Sequence, residues 1–255
     1  MKSITRTRML YKSGIEYADF SLNHVLGCSH GCNFPCYAFM QKLRFNEIQS
    51  YEEWCDPKIV SNAVSLLNSE IPKFKDQIKS VFLCSATDPF MFGFDEVQNL
   101  SLNIIKLLNE KLIRCIVLTK GILPKSLANN FHPFNEYGIT LVSLDEDYKR
   151  YFEPNAAPLK DRLQALKFLH KNNCRTWVSI EPYPTPNIIN QNLFELLKNI
   201  SFVDKIIFGR TNYSKIVSDF KDRNKFYAEC VYILKDFCTN HNIELVIKNG
   251  TIKKR

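Results

Sequence analysis

The chain has 255 residues, 45% of them hydrophobic and 24% charged, enough to bury a full core as one large domain or two small ones. No run of about 18 apolar residues occurs, which excludes a membrane-spanning helix. Nine cysteines, an odd count with no apolar leader before them, argue against a disulfide-stapled secreted fold and place the protein in the cytoplasm. A formal charge of +8 permits a polyanionic partner without requiring one. Part of that charge sits at the ends, on Lys2, Arg6 and Arg8 and on Lys253, Lys254 and Arg255.

Residues 1–18 read as a basic, polar arm and residues 19–255 as one domain. Tyr17 to Asn23 alternates as a first strand, with a cysteine-rich loop at its C-terminal end. Residues 38–48 then look helical, and Asp56-Pro57 suits the first turn of a helix reaching Leu67. Ser80 to Cys84 is a short continuous apolar run of the kind found in buried parallel strands. A helix from Asp95 to Asn109 follows, with Val97, Leu100, Ile104 and Leu107-Leu108 at helical spacing. Ile113 to Leu118 gives a strand, residues 124–134 a helix, Gly138 to Leu144 a fourth strand. Leu159 to Asn172 is an amphipathic helix marked by Leu163, Leu166, Phe168 and Leu169. Thr176 to Ile180 is a fifth strand closed by Glu181-Pro182, residues 190–199 a helix, and Asp204 to Phe208 a sixth strand. Arg223 to Thr239 is helical and Ile243 to Ile247 a last strand. Strand and helix alternating six times indicate a parallel α/β fold, and six units suit a partial (β/α)6 barrel of the TIM type.

The chemistry concentrates in Gly27-Cys28-Ser29-His30-Gly31-Cys32-Asn33-Phe34-Pro35-Cys36-Tyr37-Ala38. Three thiols on one short, glycine-punctuated loop can turn toward a single point, and thiolates are the usual ligands of iron–sulfur clusters and zinc. Three ligands instead of four would leave one iron of a [4Fe–4S] cluster open, the feature that separates a reactive metal site from a closed structural one. Zinc held by Cys28, His30, Cys32 and Cys36 is the rival, although the spacing does not match paired CxxC knuckles. The remaining cysteines, Cys55, Cys115, Cys174, Cys230 and Cys238, are scattered and read as structural.

The run Ser21 to Cys32 resembles the cluster loop of radical S-adenosylmethionine (radical SAM) enzymes, in the branch of spore photoproduct lyase. There an Asn precedes a Gly-Cys-x-His-x-Cys turn and a Tyr follows the last ligand; Asn23, Gly27, His30 and Tyr37 hold the matching places. The spacing departs from it: CxxxCxxxC here against CxxxCxxC in the family. The extra residue lies in Asn33-Phe34-Pro35, so the loop either bulges or displaces its third ligand. The resemblance covers about residues 12–187 and implies a [4Fe–4S] cluster on Cys28, Cys32 and Cys36 that binds S-adenosylmethionine. It implies reductive cleavage of that cofactor to a 5′-deoxyadenosyl radical, which abstracts hydrogen from a substrate, with a reducing partner such as flavodoxin or ferredoxin. A nucleic-acid substrate is conceivable. A zinc-binding, nucleic-acid-associated module without catalysis and a degenerate barrel without its cluster remain the alternatives.

Ligand contacts in parallel α/β proteins gather beyond the C-terminal ends of the strands. Ser85, Thr87 and Asp88, then Thr119 and Lys120, Ser143, Glu181, and Arg210 with Asn212 occupy those places in turn. The resemblance makes Tyr37, Ser85, Thr87, Asp88, Lys120, Ser143 and Glu181 expected cofactor contacts: Tyr37 over the adenosine, Lys120 at the cofactor carboxylate, Ser143 near the ribose. The Gly-Gly-Glu found in many relatives is missing. Phe152-Glu153-Pro154 and Arg162-Leu163 also look like a segment of these relatives. Cys84 is the candidate hydrogen donor, although the family position counted back from Asp88 falls on Ser85, and strand alternation would turn Cys84 away.

Overall fold

The computed structural model describes residues 1–74 and 77–252; Lys253, Lys254 and Arg255 lie outside the described residues. In chain order the strands are β1 Lys2–Ile4, β2 Tyr11–Lys12, β3 Phe20–Leu22, β4 Val25–Leu26, β5 Lys58–Val60 and β6 Ser80–Leu83. They continue as β7 Arg114–Thr119, β8 Glu136–Thr140, β9 Arg175–Tyr183, β10 Lys205–Arg210 and β11 Glu244–Ile247. The helices are α1 Tyr37–Arg44, α2 Tyr51–Cys55, α3 Ala63–Glu70, α4 Asp95–Glu110, α5 Glu146–Phe152, α6 Leu159–Lys171, α7 Leu193–Asn199, α8 Lys215–Asp219 and α9 Arg223–His241.

One sheet runs β11-β10-β9-β8-β7-β6-β3-β2. Every neighbouring pair from β3 to β11 is parallel, and only the edge strand β2 runs antiparallel, against β3. The parallel strands stand in the order of the sequence, with no reversal. Alternation along each strand divides the side chains between two faces. Val81, Leu83, Val117, Ile139, Val178, Ile180 and Phe208 join the helical residues Leu67, Ile104, Leu166, Leu197 and Leu234 in one core. Phe82, Ile116, Trp177 and Ile207 form a separate cluster on the other face, to which no helix contributes. Among the described residues, helices therefore pack on one face only. Trp177 fills the opposite face over Gly138, where a Cβ would lie 2.3 Å from the indole. Tyr17 closes over it, 5.8 Å from the Trp177 ring and 5.9 Å from Phe82.

Three expectations are corrected. Tyr17 lies outside the strand expected over Tyr17 to Asn23, which spans only Phe20–Leu22 (β3). The stretch from Asp56-Pro57 starts no helix: it leads into β5, which pairs with β1 and β4 in a small second sheet. Residues 124–134 hold a single 3-10 turn at Lys125–Ala128 instead of a helix. The arm at residues 1–18 carries β1 and β2, and Met9 and Leu10 within it are fully buried. No helix among the described residues is long and apolar enough to cross a membrane.

Candidate metal centre

The small sheet aims the cysteine loop. Val25–Leu26 (β4) pairs with β5, and the chain then turns through Gly27 at φ 92°. A Cβ at Gly27 would sit 2.6 Å from the Trp54 carbonyl, the same carbonyl to which the Cys28 amide donates at 2.8 Å. Only glycine tolerates both that conformation and that approach. Gly31, at φ 63°, makes the second turn. Cys36 ends the loop as the N-cap of α1.

The far side of the loop is held by residues 151–155, which follow β8 through α5. Asn155 donates from its backbone to the His30 carbonyl at 3.1 Å and from its side chain to the Ser29 carbonyl at 3.1 Å. Asn33 returns the contact, from its backbone to Phe152 O at 3.0 Å and from its side chain to Tyr151 O at 2.6 Å. From a third direction, Tyr51 of α2 donates to the Cys32 carbonyl at 2.7 Å. The loop is thus shaped by protein contacts on both flanks.

Cys28, Cys32 and Cys36 are free and half-buried. Burial pushes the Cys28 thiol well up, with Cys32 adding to it. It pushes the Cys32 thiol to about 11, against the pull of Lys120. Lys120 Nζ lies 3.6 Å from Cys32 Sγ and 2.9 Å from Glu153 Oε1. Burial alone would lower the lysine pKa; the Cys32 sulfur and the Glu153 carboxylate more than offset it, so the ammonium stays charged. Among the described residues no three His, Cys, Asp or Glu side chains converge as a single-ion site. A tetrahedral zinc would need its sulfurs about 3.8 Å apart, given Zn–S bonds near 2.3 Å. A cubane cluster takes each thiolate on a separate iron, so its ligands need not meet. Three half-buried thiols on a braced loop, with a fixed cation against one of them, fit that group by their donor chemistry.

Asp88 is a hub beneath the loop. It accepts from Thr119 Oγ1 at 2.6 Å, from the Lys120 amide at 2.7 Å and from the Phe90 amide at 2.9 Å, and its Oδ2 lies 3.6 Å from His30 Nδ1. Thr87 donates to the Gly27 carbonyl. Asn23 accepts from the Ala86 amide at 2.8 Å; this fixes the turn bearing Ser85, whose carbonyl accepts from Tyr37. These side chains join the turn after β6 to the cysteine loop. Ser143 is buried, and its hydroxyl accepts from the Asp145 amide at 3.1 Å, at the start of α5. Glu181 is half-buried and leans over Gly209, where a Cβ would lie 2.6 Å from its carboxyl carbon. Burial raises its pKa, Lys248 partly opposing. Arg210 and Asn212 pair with each other at 2.9 Å.

Cys84 belongs to a small apolar cluster against which Cys28 also packs. It is 2% exposed among Val25, Met91 and Val97, and its sulfur lies 3.4 Å from His24 Nδ1. His24 Nε2 in turn meets Ser101 Oγ at 2.7 Å, and Ser101 donates onward to Pro89 O. That direction makes Nε2 the protonated nitrogen and leaves Nδ1 to accept from the thiol, an assignment from the network. The residues that sequence reasoning missed are Asn155, whose contacts lie more than a hundred positions away, and the bracing roles of Asn33 and Tyr51.

No protein-family model matches the chain. An uncharacterized protein of Methanocaldococcus jannaschii is 27% identical over 179 residues, 69% of this chain; the chain spans 64% of that relative's length. Spore photoproduct lyase with bound S-adenosylmethionine and dinucleoside spore photoproduct superposes at a TM-score of 0.68 and 13% identity, over 96% of this chain and 80% of that one. The chain has the fold of spore photoproduct lyase. SuiB of Streptococcus suis, bound to S-adenosylmethionine, matches at a TM-score of 0.53 and 14% identity over 73% of this chain and 43% of that one. At these identities the likeness is one of fold, and the parallel α/β architecture expected from the sequence agrees with it.

Proposed function

We propose that the chain is a radical SAM enzyme whose Cys28, Cys32 and Cys36 hold a [4Fe–4S] cluster open at one iron to S-adenosylmethionine. The observation that carries this reading is the braced loop of three half-buried thiols, seated where the strands of a spore photoproduct lyase-like fold end. The sequential parallel order with helices on one face supports a partial (β/α)6 barrel, with the loop over its mouth. When bound, such a cluster supplies one electron to S-adenosylmethionine and the cleaved cofactor supplies the hydrogen-abstracting radical.

The residues around the loop divide by what they have free. Asp88, Thr87 and Ser143 spend their polar groups on internal bonds and act by positioning the loop and the end of β8. Tyr37, 55% exposed, and Glu181, raised in pKa by burial, keep surface to offer a bound cofactor, as does Ser85 beside Asn23. Cys84, with its thiol turned to His24, stands outside the reacting set. A flavodoxin- or ferredoxin-type reductant completes the reading. A nucleotide-containing substrate is supported by the formal charge of +8 and by the dinucleoside bound in the lyase structure.

Iron and sulfide content after anaerobic reconstitution tests the ligand set. Wild type and Cys55→Ala should bind about four irons per chain, whereas Cys28→Ala, Cys32→Ala and Cys36→Ala each lose most of it. Full iron content in Cys36→Ala would remove the third ligand from the proposal.

A further inference from the structure

The second spacer, Asn33-Phe34-Pro35, gives two of its residues separate tasks. Asn33 takes the Tyr151 and Phe152 carbonyls, groups at the end of α5 that lack partners inside the helix. Phe34 lies under Lys120, its ring centroid 4.4 Å from Nζ, inside the range of about 6 Å for a cation–π contact. On its other sides the ammonium meets Glu153 Oε1 at 2.9 Å and Cys32 Sγ at 3.6 Å. The ammonium is thus flanked by a ring, a carboxylate and a sulfur. The Lys120 side chain is 13% exposed, so little of it is left to reach a ligand.

We propose that Phe34 is a positioning residue for Lys120, and that Lys120 serves as the charge partner of the Cys32 sulfur in the iron–sulfur site instead of binding a cofactor carboxylate. The inference rests on the cluster reading above. A cation fixed beside a ligand sulfur favours the more negative, reduced form of a cluster and so raises its reduction potential, as hydrogen bonds to cluster sulfurs do. Lysine acts here as a point charge, and the flat face of Phe34 sets where that charge stands.

The test is the midpoint potential of the anaerobically reconstituted full chain, in wild type and in Lys120→Met, Phe34→Leu and Phe34→Tyr. The potential should move negative in Lys120→Met, move the same way by a smaller step in Phe34→Leu, and return toward wild type in Phe34→Tyr. Equal potentials in all four would overturn the charge-partner role. A double-mutant cycle on the metal-free protein, read as denaturant midpoints, tests the contact itself. Non-additive losses for Lys120→Met and Phe34→Leu are expected, and additive losses would overturn the positioning role. Failure of wild type to take up any cluster would sink the functional reading and the charge-partner role with it, while the cycle still decides whether Phe34 holds Lys120.

Discussion

Glu153 Oε2 lies 2.8 Å from Arg162 Nη1, and the two side chains are 2% and 0% exposed. Arg162 also donates to the Ala157 carbonyl at 2.9 Å and the Thr140 carbonyl at 3.1 Å, so the pair ties the turn after α5 to the end of β8. That turn carries Asn155, which holds the cysteine loop. Glu153→Gln would leave two buried cations, Lys120 and Arg162, facing a neutral amide. Breaking a buried pair from one side costs about 3–5 kcal/mol. Urea unfolding of the variant should show a loss of that order, and a loss below about 1 kcal/mol would contradict the network's role.

His24 and Glu153 should each lower stability in acid, in windows that start at different pH. His24 is held neutral, its pKa lowered to about 3 by burial, against about 6.5 in the unfolded chain. Its contribution is complete above pH 6.5 and is lost as pH falls toward 3, because only the unfolded chain takes up the proton there; the slope is about 1.4 kcal/mol per pH unit. Burial pushes the Glu153 carboxyl up, but Lys120 and Arg162 together bring it down to about 2. Its contribution is therefore present above the ordinary carboxylate range and is lost only as pH falls from about 4.5 toward 2. Urea midpoints between pH 7 and pH 5 should decline in wild type and stay flatter in His24→Asn.

Two glycines should behave oppositely. Gly27→Ala meets both a left-handed φ and the Trp54 carbonyl, whereas Gly14 has nothing within 4 Å of a Cβ. The positive φ alone costs roughly 1 kcal/mol, and the clash shifts the backbone that carries Cys28. Thermal unfolding should drop clearly for Gly27→Ala and hardly change for Gly14→Ala, and equal behaviour would count against the described turn.

Apolar runs bounded by turn signals made the strands legible: those expected at Ser80 to Cys84 and Ile113 to Leu118 appear as Ser80–Leu83 and Arg114–Thr119, each within one residue. Non-local pairing was not legible. Nothing near Lys58–Val60 announces that residues 2–4 will lie alongside as β1, so the proline at position 57 read as a helix start. Ser50 and Glu53 carry a capping-box signal, with Ser50 Oγ accepting from the Glu53 amide and Glu53 accepting from Gln49; read on its own, it would have placed α2. The turn at Lys125–Ala128 stays short because His132 and Asn135 are drawn into side-chain bonds with Asn109. At the site, the thiols stand out by spacing alone. The bracing by Asn155 does not, since it depends on where β8 and α5 deliver the chain.

The most direct test of the central claim is release of 5′-deoxyadenosine when the anaerobically reconstituted protein is given a one-electron reductant and S-adenosylmethionine. The account predicts iron–sulfur absorbance and formation of that product in wild type, both lost in Cys32→Ala. A protein that binds zinc, or binds iron and sulfide yet leaves S-adenosylmethionine intact under reducing conditions, would contradict it.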